Sequence, residues 1–343
     1  MTAGKYSHES NIQDASKRAT TMEATKLKSM SGDGNDPYSP LDWTGFFETK
    51  RYVTIPSESD DSAITFCVYE TNQGRMDLPV VILHHGAGHC ALSFAATAKE
   101  LQKLIGDQIR ILCYDVRGHG ETTSDDQLNL HVHRLASDLQ NILVTLYGPS
   151  IEPTMPKLFL VGHSMGGSVV TECATRAMVP NIRGIAVLDM MERNMAMAIL
   201  NIKLWYEQRP QVFDSLQQVI RFGVESGTVR NVQSARISFP GMVTCSASQP
   251  STYTWRADML ASESFWPTWF DNQNQKFLTA APKKLLILAS HGQLDDEMKA
   301  ALDQEKYQFS IFAESGHAVQ EDEPAKMASE LVAFWNNLQD SSP

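Results

Sequence analysis

The sequence is short of positive charge, of cysteine and of long apolar runs. Against 40 Asp and Glu it has 29 Lys and Arg, a formal net charge of -11. With no clustered positive field, it is a poor match for nucleic acid or an anionic membrane, whose phosphates require one. No apolar run approaches the roughly 20 residues that cross a bilayer, and the first residues lack the apolar core of a secretory signal. The expected location is therefore the cytoplasm, the nucleus or both. The five cysteines, Cys67, Cys90, Cys113, Cys173 and Cys245, are odd in number and widely spaced. They fit no metal or disulfide pattern, and free thiols in a reducing compartment are expected.

What is present is a chain of 343 residues, 42 % hydrophobic, long enough for one large domain with an insertion or for two domains. Residues 1 to 36 are polar, mix Lys with acidic residues and show no apolar period, which predicts a flexible tail and argues against a transit peptide. Trp43, Phe46 and Phe47 then supply anchors. Strand-like runs at 51–55 and 63–70 flank the turn-prone PSESDDS and predict an antiparallel hairpin. Apolar runs at 78–85, 109–114, 158–161, 184–188, 283–290 and 308–312 alternate with helical spacing at 92–105, 131–147 and 324–338. That alternation predicts a doubly wound, mostly parallel α/β sheet whose active groups sit at the C-terminal strand ends. Between 194 and 282 the pattern breaks into a Met-rich helical stretch, a second helical stretch from 211 to 224, loops around Pro240 and Pro250 and an aromatic cluster. We read this as a lid-like insertion dividing the core into 37–193 and 283–343.

The stretch Lys157 to Ala174, KLFLVGHSMGGSVVTECA, reads as strand, tight turn and helix. In a G-x-S-x-G turn so placed, glycines relieve the crowding around a strained serine, and Ser164 becomes the candidate nucleophile. The Met165 N–H, opening the helix, points where an oxyanion would form. A serine hydroxyl needs a base, and the base needs an anion to hold its tautomer. Only His291 and His317 follow Ser164 in the chain. His317, in ESGHAVQEDEP between the last strand and the last helix, is the expected base, and His291 an ordinary turn residue. For the acid, Asp189 directly follows a strand, whereas Asp295 and Asp296 lie out in a loop; spacing favours Asp189 only slightly. The second oxyanion donor is expected from His85-Gly86-Ala87-Gly88, at Ala87 or Gly88. His84 and His89 are read as packing residues in preference to substrate contacts, and Arg117, in Asp115-Val116-Arg117-Gly118-His119-Gly120, as a brace for nearby loops.

These motifs resemble those of the protein phosphatase methylesterases. The stretch from His85 to Phe94 resembles their glycine-rich loop, DVRGHGE (Asp115 to Glu121) their DxRxHGE, and VGHSMGG their nucleophile elbow. LDMMERN (Leu188 to Asn194), SARIS (Ser234 to Ser238), YTWR (Tyr253 to Arg256) and SGHAVQED (Ser315 to Asp322) have counterparts too, so the likeness runs from SPLDW to the last helix. The resemblance implies an α/β-hydrolase fold with a helical lid and a triad on Ser164, Asp189 and His317. It further implies demethylation of the C-terminal leucine of the phosphatase 2A catalytic subunit, with no metal or organic cofactor. Departures are Ala87 for a loop glycine, Arg193 for a glycine, and the short ASQPS before YTWR. The insertion is the expected docking surface, with Arg230, Arg236 and Arg256 as candidates to meet acidic side chains of the tail.

Overall fold

Alternation along the apolar runs decides how this chain packs. The computed structural model describes residues 36–56, 63–106, 108–148, 155–192, 195–246, 249–280, 283–290 and 294–339. All but the last residue of the expected tail at 1–36, together with Arg193, Asn194 and His291, lie outside them. The strands are β1 (Thr49–Pro56), β2 (Ala63–Thr71), β3 (Val80–His84), β4 (Arg110–Tyr114), β5 (Leu158–His163), β6 (Ile182–Leu188), β7 (Val212–Phe213), β8 (Val243–Cys245), β9 (Tyr253–Trp255), β10 (Lys284–Leu288) and β11 (Gln308–Ile311).

Among the described residues the main sheet runs in the order β1-β2-β4-β3-β5-β6-β10-β11. The β1–β2 hairpin and the β2–β4 pair are antiparallel, and every later neighbour is parallel. Strands β3 to β5 are buried on both faces because they lack polar alternation. Within them the pleat divides the side chains: Ile82, Leu112 and Leu160 face the helices Val132–Tyr147 and Met165–Thr175. Val81, Ile111 and Phe159 face the helices Ala95–Ile105 and Pro324–Gln339. Each such Leu or Ile contributes roughly 1.5–3 kcal/mol by leaving water, so truncating the fully buried Leu160 to Ala should cost about 2–5 kcal/mol.

Register brings the strand ends together. His163 at the end of β5 lies opposite Leu188 of β6, and Leu188 lies opposite Ile287 of β10. The next residues, Ser164 and Asp189, therefore emerge side by side at the same sheet edge. The Ser164 N–H donates to the Leu188 carbonyl at 2.9 Å, and the Asp189 N–H to the Ile287 carbonyl at 2.8 Å.

Between β6 and β10 the chain leaves the sheet. It forms the helix Met195–Gln208, the helix Leu216–Glu225, the helix Val232–Met242 and a small antiparallel sheet ordered β7-β9-β8, and the first helix and the turn at 226–228 line a cavity with Ser164 and His317 at the strand ends. Two expectations change here. The stretch 211–224 begins as strand β7 and turns helical only at Leu216, where the Ser215 hydroxyl caps the Gln218 N–H. The expected loop around Pro240 is the last turn of a helix. Proline cannot donate to the carbonyl four residues back, and that freed Arg236 carbonyl accepts instead from the Leu41 N–H at 2.9 Å. An N-terminal segment thus satisfies what the proline leaves open.

Candidate active site

Ser164 sits at φ 51, ψ -122, a left-handed position that costs a residue with a Cβ on the order of 1–3 kcal/mol. The neighbouring glycines make it possible. A Cβ on Gly162 would run into the Gly166 carbonyl, and one on Gly166 into the His84 carbonyl. The elbow is thus wedged between β3 and its own helix. The Ser164 side chain makes no hydrogen bond to any described residue and lines a cavity of about 390 Å³ together with His317.

Asp189 too is left-handed, at φ 48, which aims its carboxylate along the sheet edge. Its Oδ1 accepts from the Ala289 N–H at 2.9 Å and its Oδ2 meets His317 Nδ1 at 2.6 Å. Asp189 is buried while half of the His317 ring is open, the side chains being 4 % and 56 % exposed. For His317, burial works against the charged ring, but the Asp189 hydrogen bond and charge outweigh it and hold the pKa above the ordinary 6.5. Asp295 is occupied elsewhere: its Oδ1 caps the helix Asp296–Asp303 through the Met298 N–H, and its Oδ2 accepts from Asn274. Asp296 is fully exposed and meets Lys299 at 3.2 Å, so the acids that spacing left nearly level are separated.

The glycine-rich loop is fixed peptide by peptide. His85 Nδ1 donates to the Gly86 carbonyl at 2.8 Å, and the His89 N–H also points there, at 3.2 Å. Because the peptide is trans, the Ala87 N–H faces the opposite way, and neither it nor the Met165 N–H has a partner among the described residues. The next peptide is clamped at both ends. The Tyr206 hydroxyl donates to the Ala87 carbonyl at 3.0 Å, and the Gly88 N–H donates to His119 Nε2 at 2.9 Å. Gly88 is therefore withdrawn as an oxyanion donor, since its hydrogen is already engaged; Ala87 and Met165 remain. Gly88 serves by shape instead: at φ +74 it leaves the space that the Tyr206 hydroxyl fills. Burial pushes the His119 pKa down to about 4, which keeps the ring neutral and able to accept.

The cavity walls are mostly apolar: Ile202, Trp205 and Tyr206 from the helix Met195–Gln208, with Met190, Trp269 and Phe270. His89 lines it as well, held by Glu321 at 3.2 Å, whereas His84 is wholly buried. Arg117 braces loops as expected, pairing with Asp138 at 2.8 and 2.9 Å and with the Asp126 carbonyl.

None of the three candidate docking arginines lines this cavity. Arg236 donates to the Ser39 carbonyl, and Arg256 to the Val243 carbonyl beside a separate polar cavity containing Lys50 and Asp115. Arg230 reaches the Glu314 carbonyl, and its N–H and that of Gly316 share Asp322, so it braces the His317 loop. SARIS and SGHAVQED also meet: Ser234 donates to the Glu321 carbonyl and Ser238 to its carboxylate. Sequence reasoning missed Tyr206 and His119. The only signal for them was the aromatic pair in LWYEQ and the histidine within DVRGHGE.

An eight-stranded, mostly parallel sheet carrying a strained serine elbow beneath a lid defines an alpha/beta hydrolase. A family model described as the alpha/beta hydrolase family matches residues 81–330. Solved structures agree on the fold: an E-2-(acetamidomethylene)succinate hydrolase superposes with TM-score 0.65 at 16 % identity, covering 83 % of this chain and 100 % of that one. A peroxisomal alpha-beta-hydrolase from Saccharomyces cerevisiae superposes at 0.63 and 13 % identity, covering 86 % and 90 %. Among curated proteins, protein phosphatase methylesterase 1 of Schizosaccharomyces pombe is 33 % identical over 310 residues, spanning 89 % of this chain and 87 % of that one. The Homo sapiens protein of the same name is 30 % identical over 355 residues, spanning 92 % and 89 %. The chain belongs to the protein phosphatase methylesterases of the alpha/beta hydrolase family and is a carboxylic ester hydrolase.

Proposed function

We propose that the protein removes the methyl ester from the C-terminal leucine carboxylate of the phosphatase 2A catalytic subunit, using Ser164, His317 and Asp189. The observation that carries the reading is Ser164 and the Asp189-held His317 at one apolar cavity, beside two backbone N–H groups with no partner among the described residues. His317 takes the Ser164 proton as the serine oxygen attacks the ester carbonyl carbon. The Met165 and Ala87 N–H groups hold the oxyanion, which collapses to a serine ester as the proton passes to the departing methoxide. Water, deprotonated by His317, then attacks the serine ester. It releases the carboxylate and restores the serine, while Asp189 stabilises the charged imidazole in both halves.

An apolar cavity suits the leucine side chain, and a chain end is the part of a folded substrate that can enter beneath a lid. The lid-like insertion, 194–282, is the surface on which the substrate would rest. Free thiols at Cys67, Cys90, Cys113, Cys173 and Cys245 suit a reducing location, cytoplasmic, nuclear or both; fractionation showing the protein in a secretory compartment would contradict this. The direct test is methanol release from methylated phosphatase. Wild type should release it and Ser164→Ala should not. Turnover of small esters with no release from the phosphatase would identify a small-molecule esterase instead.

A further inference from the structure

A second cavity, of about 330 Å³, shares Tyr206 with the active-site cavity. Arg209, at the end of the lid helix, lines it with Gln211, Trp255, Asp258 and Leu260. Arg209 is only 8 % exposed. Its guanidinium lies 4.0 Å from the Trp255 ring centroid, 4.5 Å from that of Tyr206 and 5.2 Å from that of Trp205. Its Nε is buried without a partner. Among the described residues no carboxylate reaches it within ion-pair distance, Asp258 acting on it only from further away.

A buried cation supported by ring faces alone is an unfinished arrangement. Aromatic faces favour the charge but accept N–H groups only weakly, so a desolvated guanidinium keeps its donors poorly matched. Three other arginines of the insertion, Arg230, Arg236 and Arg256, have found oxygen partners, and Arg221, which among the described residues meets only the Tyr38 ring, is exposed to water. A guanidinium fork matches a carboxylate in two parallel hydrogen bonds, and the exposed rim at Val212 and Leu260 leaves a way in.

We propose that the Arg209 cavity is a subsite for an acidic side chain of the protein substrate, a few residues before the methylated chain end. The inference rests on the methylesterase reading for the source of the carboxylate, and on the shared Tyr206 wall for its position. An extended chain advances about 3.3–3.6 Å per residue, so a peptide with its ester at Ser164 crosses one tyrosine ring within a few residues.

The test uses hexapeptide methyl esters carrying one Glu, moved from the second to the fifth position from the ester, each compared with its Gln counterpart. At one placement wild type should show a Glu-to-Gln ratio of kcat/KM of roughly tenfold, decreasing as salt is raised. Arg209→Gln should bring the ratio to one and Arg209→Lys should keep part of it. Because the readout is a ratio within one enzyme, a less active variant still reports. A wild-type ratio within twofold of one at every placement overturns the proposal, as does a preference that survives Arg209→Gln. The same peptides as free acids, titrated against the fluorescence of Trp205 and Trp255, read the subsite without turnover. Tighter binding of the Glu peptide with no hydrolysis of any ester would sink the methylesterase reading and leave the subsite standing. Equal binding of the Glu and Gln peptides would sink the subsite.

Discussion

Gly88→Ala isolates the fit between lid and oxyanion loop. Two costs can be worked from the structure. At φ +74 an alanine is strained by about 1–2 kcal/mol. Its Cβ would also overlap the Tyr206 hydroxyl and lie 3.1 Å from the ring carbon bearing it, so Tyr206 must withdraw. Withdrawal breaks the hydrogen bond to the Ala87 carbonyl, worth about 1 kcal/mol. The sum, roughly 2–3 kcal/mol, should lower Tm by about 3–5 °C, since roughly 300 folded residues carry an unfolding entropy of about 0.6 kcal/mol per degree. Activity should suffer more. If the freed peptide carries the Ala87 N–H out of place, loss of one oxyanion donor costs about 3–4 kcal/mol, a fall in kcat of about 10²–10³. Thermal melts and ester turnover would be measured on Gly88→Ala, Tyr206→Phe and the double variant. Because Tyr206→Phe removes the atom that alanine meets, the double variant should be less impaired than the two single effects added together. A Gly88→Ala enzyme with kcat within threefold of wild type and an unchanged Tm would refute the clamp.

Asp189→Asn should lower kcat by about 10⁴, the scale on which a wrongly held imidazole tautomer acts; an Asp295→Asn enzyme with the larger loss would reverse the assignment. Because Asp189 holds the His317 pKa above 6.5, the acid limb of kcat/KM should move to lower pH in Asp189→Asn. The raised pKa also means that the pair stabilises the fold below about pH 6.5 and that this is lost as pH rises through the folded value. The Tm deficit of Asp189→Asn should therefore be greater at pH 5 than at pH 8.5. Arg230→Ala loosens the loop carrying His317, and kcat should fall about tenfold, one lost charged hydrogen bond, with KM within twofold. A raised KM at unchanged kcat would instead restore Arg230 to substrate docking.

The residues that fix their own surroundings were the legible ones. Ser164 and its glycines can be read because a strand, a left-handed serine and a helix follow one another in the chain, and the crowding that demands glycine is local. The sheet was legible because apolar runs without alternation suit strands covered on both faces. Asp189 was nearly level with Asp295, since which acid meets His317 depends on partners 128 residues apart in sequence. The helix at Pro240 was missed because its freed carbonyl is satisfied from Leu41, far away in the chain. The three candidate docking arginines were chosen for their charge, yet all three are held by the fold, whereas Arg209, in an aromatic box, looked ordinary in WYEQRP.

By itself the sequence determined the alternation of strands and helices, the elbow at Ser164 and the candidacy of His317 as its base, because local backbone geometry and chain order are enough for these. Tertiary structure decided which candidate acid meets His317, which loop N–H is already engaged, and which buried arginine lacks an oxygen partner among the described residues. Each of those turns on a single hydrogen bond or its absence between distant segments: Asp189 to His317, Gly88 to His119, and the oxygen that never reaches Arg209. A hydrogen bond is decided within a few tenths of an ångström, and such distances exist only once the sheet and its lid have closed.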